Sequence, residues 1–208
     1  MGSDDIFKKR RSSAEKNYKR RTSFRDPRER LLIVCEGSKT EPRYFEGFRL
    51  TNVKVVGTGY NTDSLVQYAI QLKRDAQKEK EPFNQVWCVF DRDSFPVANF
   101  NNALTLARQH SINTAYSNEA FELWYLLHFH YYESAISRDD YITKLDGLLG
   151  FKYQKNCQTM FDELVEKQDI AIRNAERLLS QYPDIDPVNN NPSTTIHVLV
   201  KELNKWVR

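Results

Sequence analysis

The sequence predicts an α/β fold: a four-stranded, mostly parallel sheet flanked by helices, followed by a mainly helical C-terminal extension. Three observations carry this. Between residues 31 and 116, short apolar runs alternate four times with segments of helical periodicity, the pattern of a sheet covered on both faces. The clearest runs, LLIVC at 31–35 and VWCVF at 86–90, show no polar alternation, so each reads as a strand buried on both sides. After Tyr116 the alternation stops and helical periodicity takes over.

The elements follow in order. The first strand, 31–35, leads into a helix over 39–49 with Tyr44, Phe45 and Phe48 at helical spacing. Pro42 sits in its first turn, where a missing N–H costs nothing. Residues 53–56 form a second strand and Gly57-Thr58-Gly59-Tyr60-Asn61 a loop. Thr62 or Asp63 is the expected cap of a helix carrying Leu65, Val66, Ala69, Ile70 and Leu72, which ends in charge at 78–80 before Pro82. A third strand over 86–90, a helix over about 98–110 and a fourth strand over 112–116 complete the alternation. Residues 118–132 read as a buried helix, apolar nearly all round. Further helices are expected over 138–149, 159–181 and 193–206, the last preceded by a turn at 189–193.

The domain reading is a basic arm over 1–30 and one α/β domain over 31–208, with its sheet core at 31–117 and its helical extension at 118–208. The arm holds eleven Lys or Arg against five acids, a net +6, whereas the remainder is −3. A basic arm on a slightly acidic body suits a polyanion such as DNA or RNA; a solvated tail is the plainer alternative. No apolar run approaches the roughly 18 residues of a membrane span. Charge at the N-terminus stands where a signal peptide needs an apolar stretch, so a cytoplasmic protein without membrane contact is expected. Cys35, Cys88 and Cys157 form no CxxC pair, and the first two lie inside apolar runs as core residues.

In parallel sheets, ligands bind beyond the carboxyl ends of the strands. Glu36 follows the first strand and Asp91 the third, so both point to one edge. Asp91-Arg92-Asp93 offers two carboxylates one residue apart, hard oxygen donors suited to Mg²⁺ or Mn²⁺; loop charges are the alternative. Around Glu36, in Cys-Glu-Gly-Ser-Lys-Thr-Glu, Gly37 permits a tight bend and close approach of a ligand, and the next helix N-terminus favours a phosphate. Lys39 adds a positive charge there, while the alternative makes Glu36 a helix cap. Glu119 and Glu122 follow the fourth strand at i,i+3, either as further metal carboxylates or as ordinary partners of a helix dipole. Glu122 is the better candidate because its helix is otherwise apolar. Gly57-x-Gly59 reads as a turn, and His128 and His130 diverge on a helix; no nucleophilic triad can be argued.

The blocks at 35–45 (CEGSKTEPRYF), 86–93 (VWCVFDRD) and 117–129 (SNEAFELWYLLHF), with NPSTT at 191–195, resemble the RloB-like family from about Leu31 to the C-terminus. That resemblance implies a Toprim-type fold of the class shared with topoisomerases, primases and OLD-type nucleases, in which one Glu follows the first strand and a DxD a later one. Glu36, Asp91 and Asp93 match those positions. It also implies an association with restriction and anti-phage loci and an ATPase partner encoded nearby. The expected function is Mg²⁺- or Mn²⁺-dependent hydrolysis of nucleic-acid phosphodiesters. Asp91 and Asp93 bind metal, and Glu36 binds a second metal or moves a proton. Glu122 and Glu119 complete the site, and Lys39 and Arg92 contact phosphate. Water is the expected nucleophile, with covalent attack by Tyr44 or Tyr116 as a minor alternative. The rival functions are a non-catalytic metal- and nucleic-acid-binding sensor or effector subunit, and a structural partner of an ATPase. A homo-oligomer is compatible with each.

Overall fold

The computed structural model describes residues 29–92, 97–184 and 186–207. The basic arm lies outside them except for its last two residues. Five strands, β1 (Leu31–Cys35), β2 (Val53–Gly57), β3 (Gln85–Asp91), β4 (Asn113–Asn118) and β5 (Ser193–Thr194), form one sheet in the order β2-β1-β3-β4-β5. The first four are mutually parallel and β5 runs antiparallel to β4. Eight α-helices surround the sheet among the described residues: α1 (Thr40–Glu46), α2 (Thr62–Lys78), α3 (Val97–Gln109), α4 (Glu122–Leu127), α5 (Arg138–Leu149), α6 (Met160–Leu164), α7 (Gln168–Leu179) and α8 (Ile196–Asn204). None is long and apolar enough to cross a membrane.

The unbroken apolar runs are explained by two cores, one on each face of the sheet. Leu31, Ile33, Cys35, Trp87, Val89 and Ala115 point into a core shared with α1, α4, α5, α7 and α8. Their alternates Leu32, Val34, Val86, Cys88, Phe90 and Tyr116 point into a second core built with α2 and α3. Because side chains alternate along a strand, burial of both faces requires every position to be apolar.

The structure departs from the sequence expectations in four places. Asn61, rather than Thr62 or Asp63, caps α2, its side chain accepting the Ser64 N–H at 3.0 Å; Asn ranks with the best caps. The expected helix over 118–132 shrinks to Glu122–Leu127, because β4 continues to Asn118. There the Asn118 amide donates to the carbonyls of Pro187 and Asn190, at 3.2 and 3.1 Å. The expected helix over 159–181 is interrupted by a 3₁₀ turn at Val165–Lys167. That turn lets α6 pack on α1 while α7 packs on α4. Finally, Ser193 and Thr194 begin no helix. They pair with Asn118 and Ser117 as a fifth strand, and Thr194 Oγ1 donates to the Tyr116 carbonyl at 3.0 Å.

The first turn of α5 carries Arg138, whose guanidinium reaches Asp91 at the end of β3. Ser137 and Asp140 fix that turn with a capping box, in which the Asp140 N–H donates to Ser137 Oγ at 3.3 Å. Ser137→Ala is expected to cost about 1 kcal/mol, as cap removals do, measurable as a lower urea midpoint with an unchanged slope.

Candidate functional site

Adjacent parallel pairing of β1 and β3 brings their carboxyl ends together, with Cys35 opposite Val89. The chain then locks Glu36 against β3. Its N–H donates to the Val89 carbonyl at 2.8 Å, and its Oε2 accepts the Asp91 N–H at 3.1 Å. Thr62 Oγ1 donates to its Oε1 at 3.4 Å. Glu36 is therefore not the cap of α1; that position is Lys39, which makes no side-chain cap.

A cavity of about 620 Å³ opens at this edge, and the carboxylates of Glu36, Glu41, Asp91 and Glu122 line it. Lys39, Arg138 and Lys155 also line it. Of the residues expected from sequence, Glu36, Asp91, Glu122 and Lys39 thus meet in one place. Asp93 lies outside the described residues. Glu119 precedes α4 rather than sharing a helical face with Glu122, and it is not among the cavity-lining residues. Arg92 also lies apart from the lining, its guanidinium 5.8 Å from the Phe100 ring centroid in the α2–α3 core. Tyr44 and Tyr116 are buried in opposite cores and neither lines the cavity.

Glu41 was not expected. It is 5% exposed, although it is an acid in the first turn of a helix. The signal for it was present: Glu41 lies three and four residues before Tyr44 and Phe45, on the same stripe that faces the core. Its carboxylate folds back against the strand-to-helix turn at Gly37. A Cβ at position 37 would collide with that carboxylate. The room that Gly37 provides is thus taken by the chain's own acid, at the place where a phosphate was expected.

The electrostatics follow from this crowding. Burial pushes the Asp91 carboxyl well above the usual carboxylate range; Glu41, Glu122 and Glu36 push it further, and Arg138 opposes them. The Asp91–Arg138 ion pair spans 3.1 Å, with the Asp91 side chain 16% exposed. Burial likewise raises Glu41, reinforced by Glu122 and opposed by its backbone hydrogen bonds and Lys155. Glu122 accepts the Tyr153 hydroxyl at 3.1 Å. Tyr153 and Lys155 arrive on the segment after α5, anchored where Thr40 Oγ1 donates to the Lys155 carbonyl at 3.1 Å.

Four carboxylates in one cavity make an oxygen-only donor set with surplus negative charge, the chemistry that suits a hard divalent cation. As they stand, Glu36 accepts from the Asp91 N–H, Asp91 pairs with Arg138 and Glu122 accepts from Tyr153. Among the described residues no three Asp, Glu, His or Cys side chains already form a cage. His128 is buried instead in an aromatic cluster, with Nδ1 2.9 Å from the Trp124 carbonyl.

No curated protein and no solved structure matches this chain. A family model does: that of the RloB-like proteins aligns with residues 31–203, spanning the whole sheet, the carboxylate cavity and the surrounding helices. The chain belongs to the RloB-like family.

Proposed function

We propose that this protein is a nuclease that hydrolyses nucleic-acid phosphodiesters with the aid of Mg²⁺ or Mn²⁺. The observation that carries the reading is the convergence of Glu36, Glu41, Asp91 and Glu122 on one cavity at the carboxyl edge of a parallel sheet. Burial first, and then the neighbouring acids, raise Asp91 and Glu41, and a divalent cation at the site would favour their ionised forms. The family resemblance implies a Toprim pattern, with one acid after the first strand and a DxD after a later one, which Glu36 after β1 and Asp91 at the end of β3 would match. Asp91, Glu36 and Glu122, with Glu41 and the neighbouring Asp93, would hold the ion. A bound divalent cation supplies charge at the phosphoryl oxygens and acidifies a water.

The chain's own groups do the rest. The Asp91 N–H and Thr62 orient Glu36, the Tyr153 hydroxyl orients Glu122, and Lys39 and Lys155 at the rim attract the phosphate backbone. An anti-phage role beside an ATPase partner is part of the same proposal, supported by family membership. A second reading, a non-catalytic sensor or effector subunit, draws support from the closed network in which the acids already have partners of their own.

Turnover separates the two. The purified chain is incubated with supercoiled plasmid, linear duplex, single-stranded DNA and tRNA in Mg²⁺, Mn²⁺ or EDTA, beside Glu36→Ala and Asp91→Ala. Metal-dependent cutting that both substitutions abolish is the expected result. Metal binding without cutting of any substrate favours the sensor.

A further inference from the structure

The cavity contains a cation of its own. Arg138 is the first residue of α5, and its Nη2 lies 3.1 Å from Asp91 Oδ2. A positive side chain at a helix N-terminus opposes the helix dipole, and the acids that suit that position, Asp139 and Asp140, are already there. The helix therefore does not explain the guanidinium; Asp91 does. The pair sits at the wall of the cavity that Glu36, Glu41 and Glu122 also line, with side-chain exposures of 34% and 16%. Arg138 is the cation paired with Asp91, while Lys39 and Lys155 also line the cavity. A doubly charged ion at the same carboxylate carries more charge than the guanidinium and competes with it for the Asp91 oxygens.

We propose that Arg138 is the resident counter-ion of the acidic site, displaced from Asp91 by a divalent cation and then available to a non-bridging phosphate oxygen of the substrate. The inference rests on the metal-dependent reading of the site and deepens it. In the metal-free protein Arg138 offsets the charge of Asp91. Once a metal occupies the site, the guanidinium remains at the cavity wall, and its planar fork matches a phosphate better than an ammonium can. The site thus exchanges one cation for another at Asp91.

The test measures Mn²⁺ affinity from the electron paramagnetic resonance of the free ion, using the full chain as wild type, Arg138→Gln, Arg138→Lys and Asp91→Asn. Removing the competitor should tighten Mn²⁺ binding in Arg138→Gln about tenfold, the lower end of what a neighbouring charge does to an ionic equilibrium. Cleavage at saturating Mn²⁺ should nevertheless fall, because the phosphate contact is gone. Arg138→Lys keeps the charge but loses the fork, so its Mn²⁺ affinity should lie between the two while cleavage stays impaired. That variant carries the test if Arg138→Gln melts below the assay temperature. Mn²⁺ affinity that is unchanged or weaker in well-folded Arg138 variants, with Asp91→Asn abolishing binding, overturns the role of Arg138 and leaves the nuclease reading standing. A wild-type chain whose Mn²⁺ binding does not depend on Asp91 overturns both.

Discussion

Asp91→Asn is expected to abolish cleavage, by about a thousandfold or more, and at the same time to stabilise the metal-free protein. On the proposed metal-dependent reading, the first effect would be the loss of a ligand whose ion stabilises the transition state by several kcal/mol. The second comes from the raised Asp91 carboxyl, which is caused first by burial and then by Glu41, Glu122 and Glu36. A carboxyl with a higher pKa in the folded state than in the unfolded state binds more protons when folded. Its contribution to stability is full below the ordinary carboxylate range and is lost as pH rises through the raised value. Relative to Asp91→Asn, metal-free wild type should therefore lose melting temperature from about pH 5 towards pH 8, because the opposing contributions of His128 and His197, both lowered by burial, are common to the two proteins. Asp91→Asn should melt higher than wild type at the alkaline end. Its amide oxygen still accepts from Arg138, so the gain is on the order of 1 kcal/mol, or about 2–4 °C for a chain of this size. Adding Mg²⁺ should raise the melting temperature of wild type but not of the variant. A variant that melts below wild type at pH 8 would show that the Arg138 pair outweighs the repulsion.

Tyr44→Ala should give the largest loss of stability. The ring packs edge-on against Phe45, Phe48, Phe121, Trp124 and Phe161, with centroid distances of 5.5 to 6.3 Å. Its hydroxyl accepts a hydrogen bond from Gln168 Nε2 at 3.2 Å. It therefore ties α1, the helix that carries Glu41, to α4, α6 and α7. Removing a large buried ring costs about 3–5 kcal/mol, seen as a much lower urea midpoint, and at about 2–4 °C per kcal/mol a lower melting temperature. Tyr44→Phe separates packing from chemistry. It should lose about 1–2 kcal/mol by leaving the Gln168 amide without this partner, yet keep its cleavage activity. Loss of cleavage in a folded Tyr44→Phe protein would revive covalent attack by this tyrosine, which its burial away from the cavity argues against.

The sequence by itself determined the sheet and the edge at which its acids gather. Strand periodicity is local, and runs such as LLIVC and VWCVF can satisfy their side chains only when covered on both faces. Once β1 and β3 are parallel neighbours, Glu36 and Asp91 must share an edge. Burial of Glu122 followed in the same way from its place in an otherwise apolar helix. The tertiary structure alone decided which groups surround those acids. Arg138 and Lys155 reach the cavity, and Tyr153 reaches Glu122, from segments remote in sequence, and no local pattern marks them. Ser193 and Thr194 became a strand because β4 had an open edge and their hydroxyls could satisfy its polar groups, which outweighed continuation of a helix. Glu41 lies between the two cases. Its place on the buried stripe was written in the spacing, but only the packed turn shows that an acid is held there among three others. Periodicity reports which side of an element is covered. The charge and partners of a buried group depend on long-range neighbours, and only the packing of distant segments supplies those.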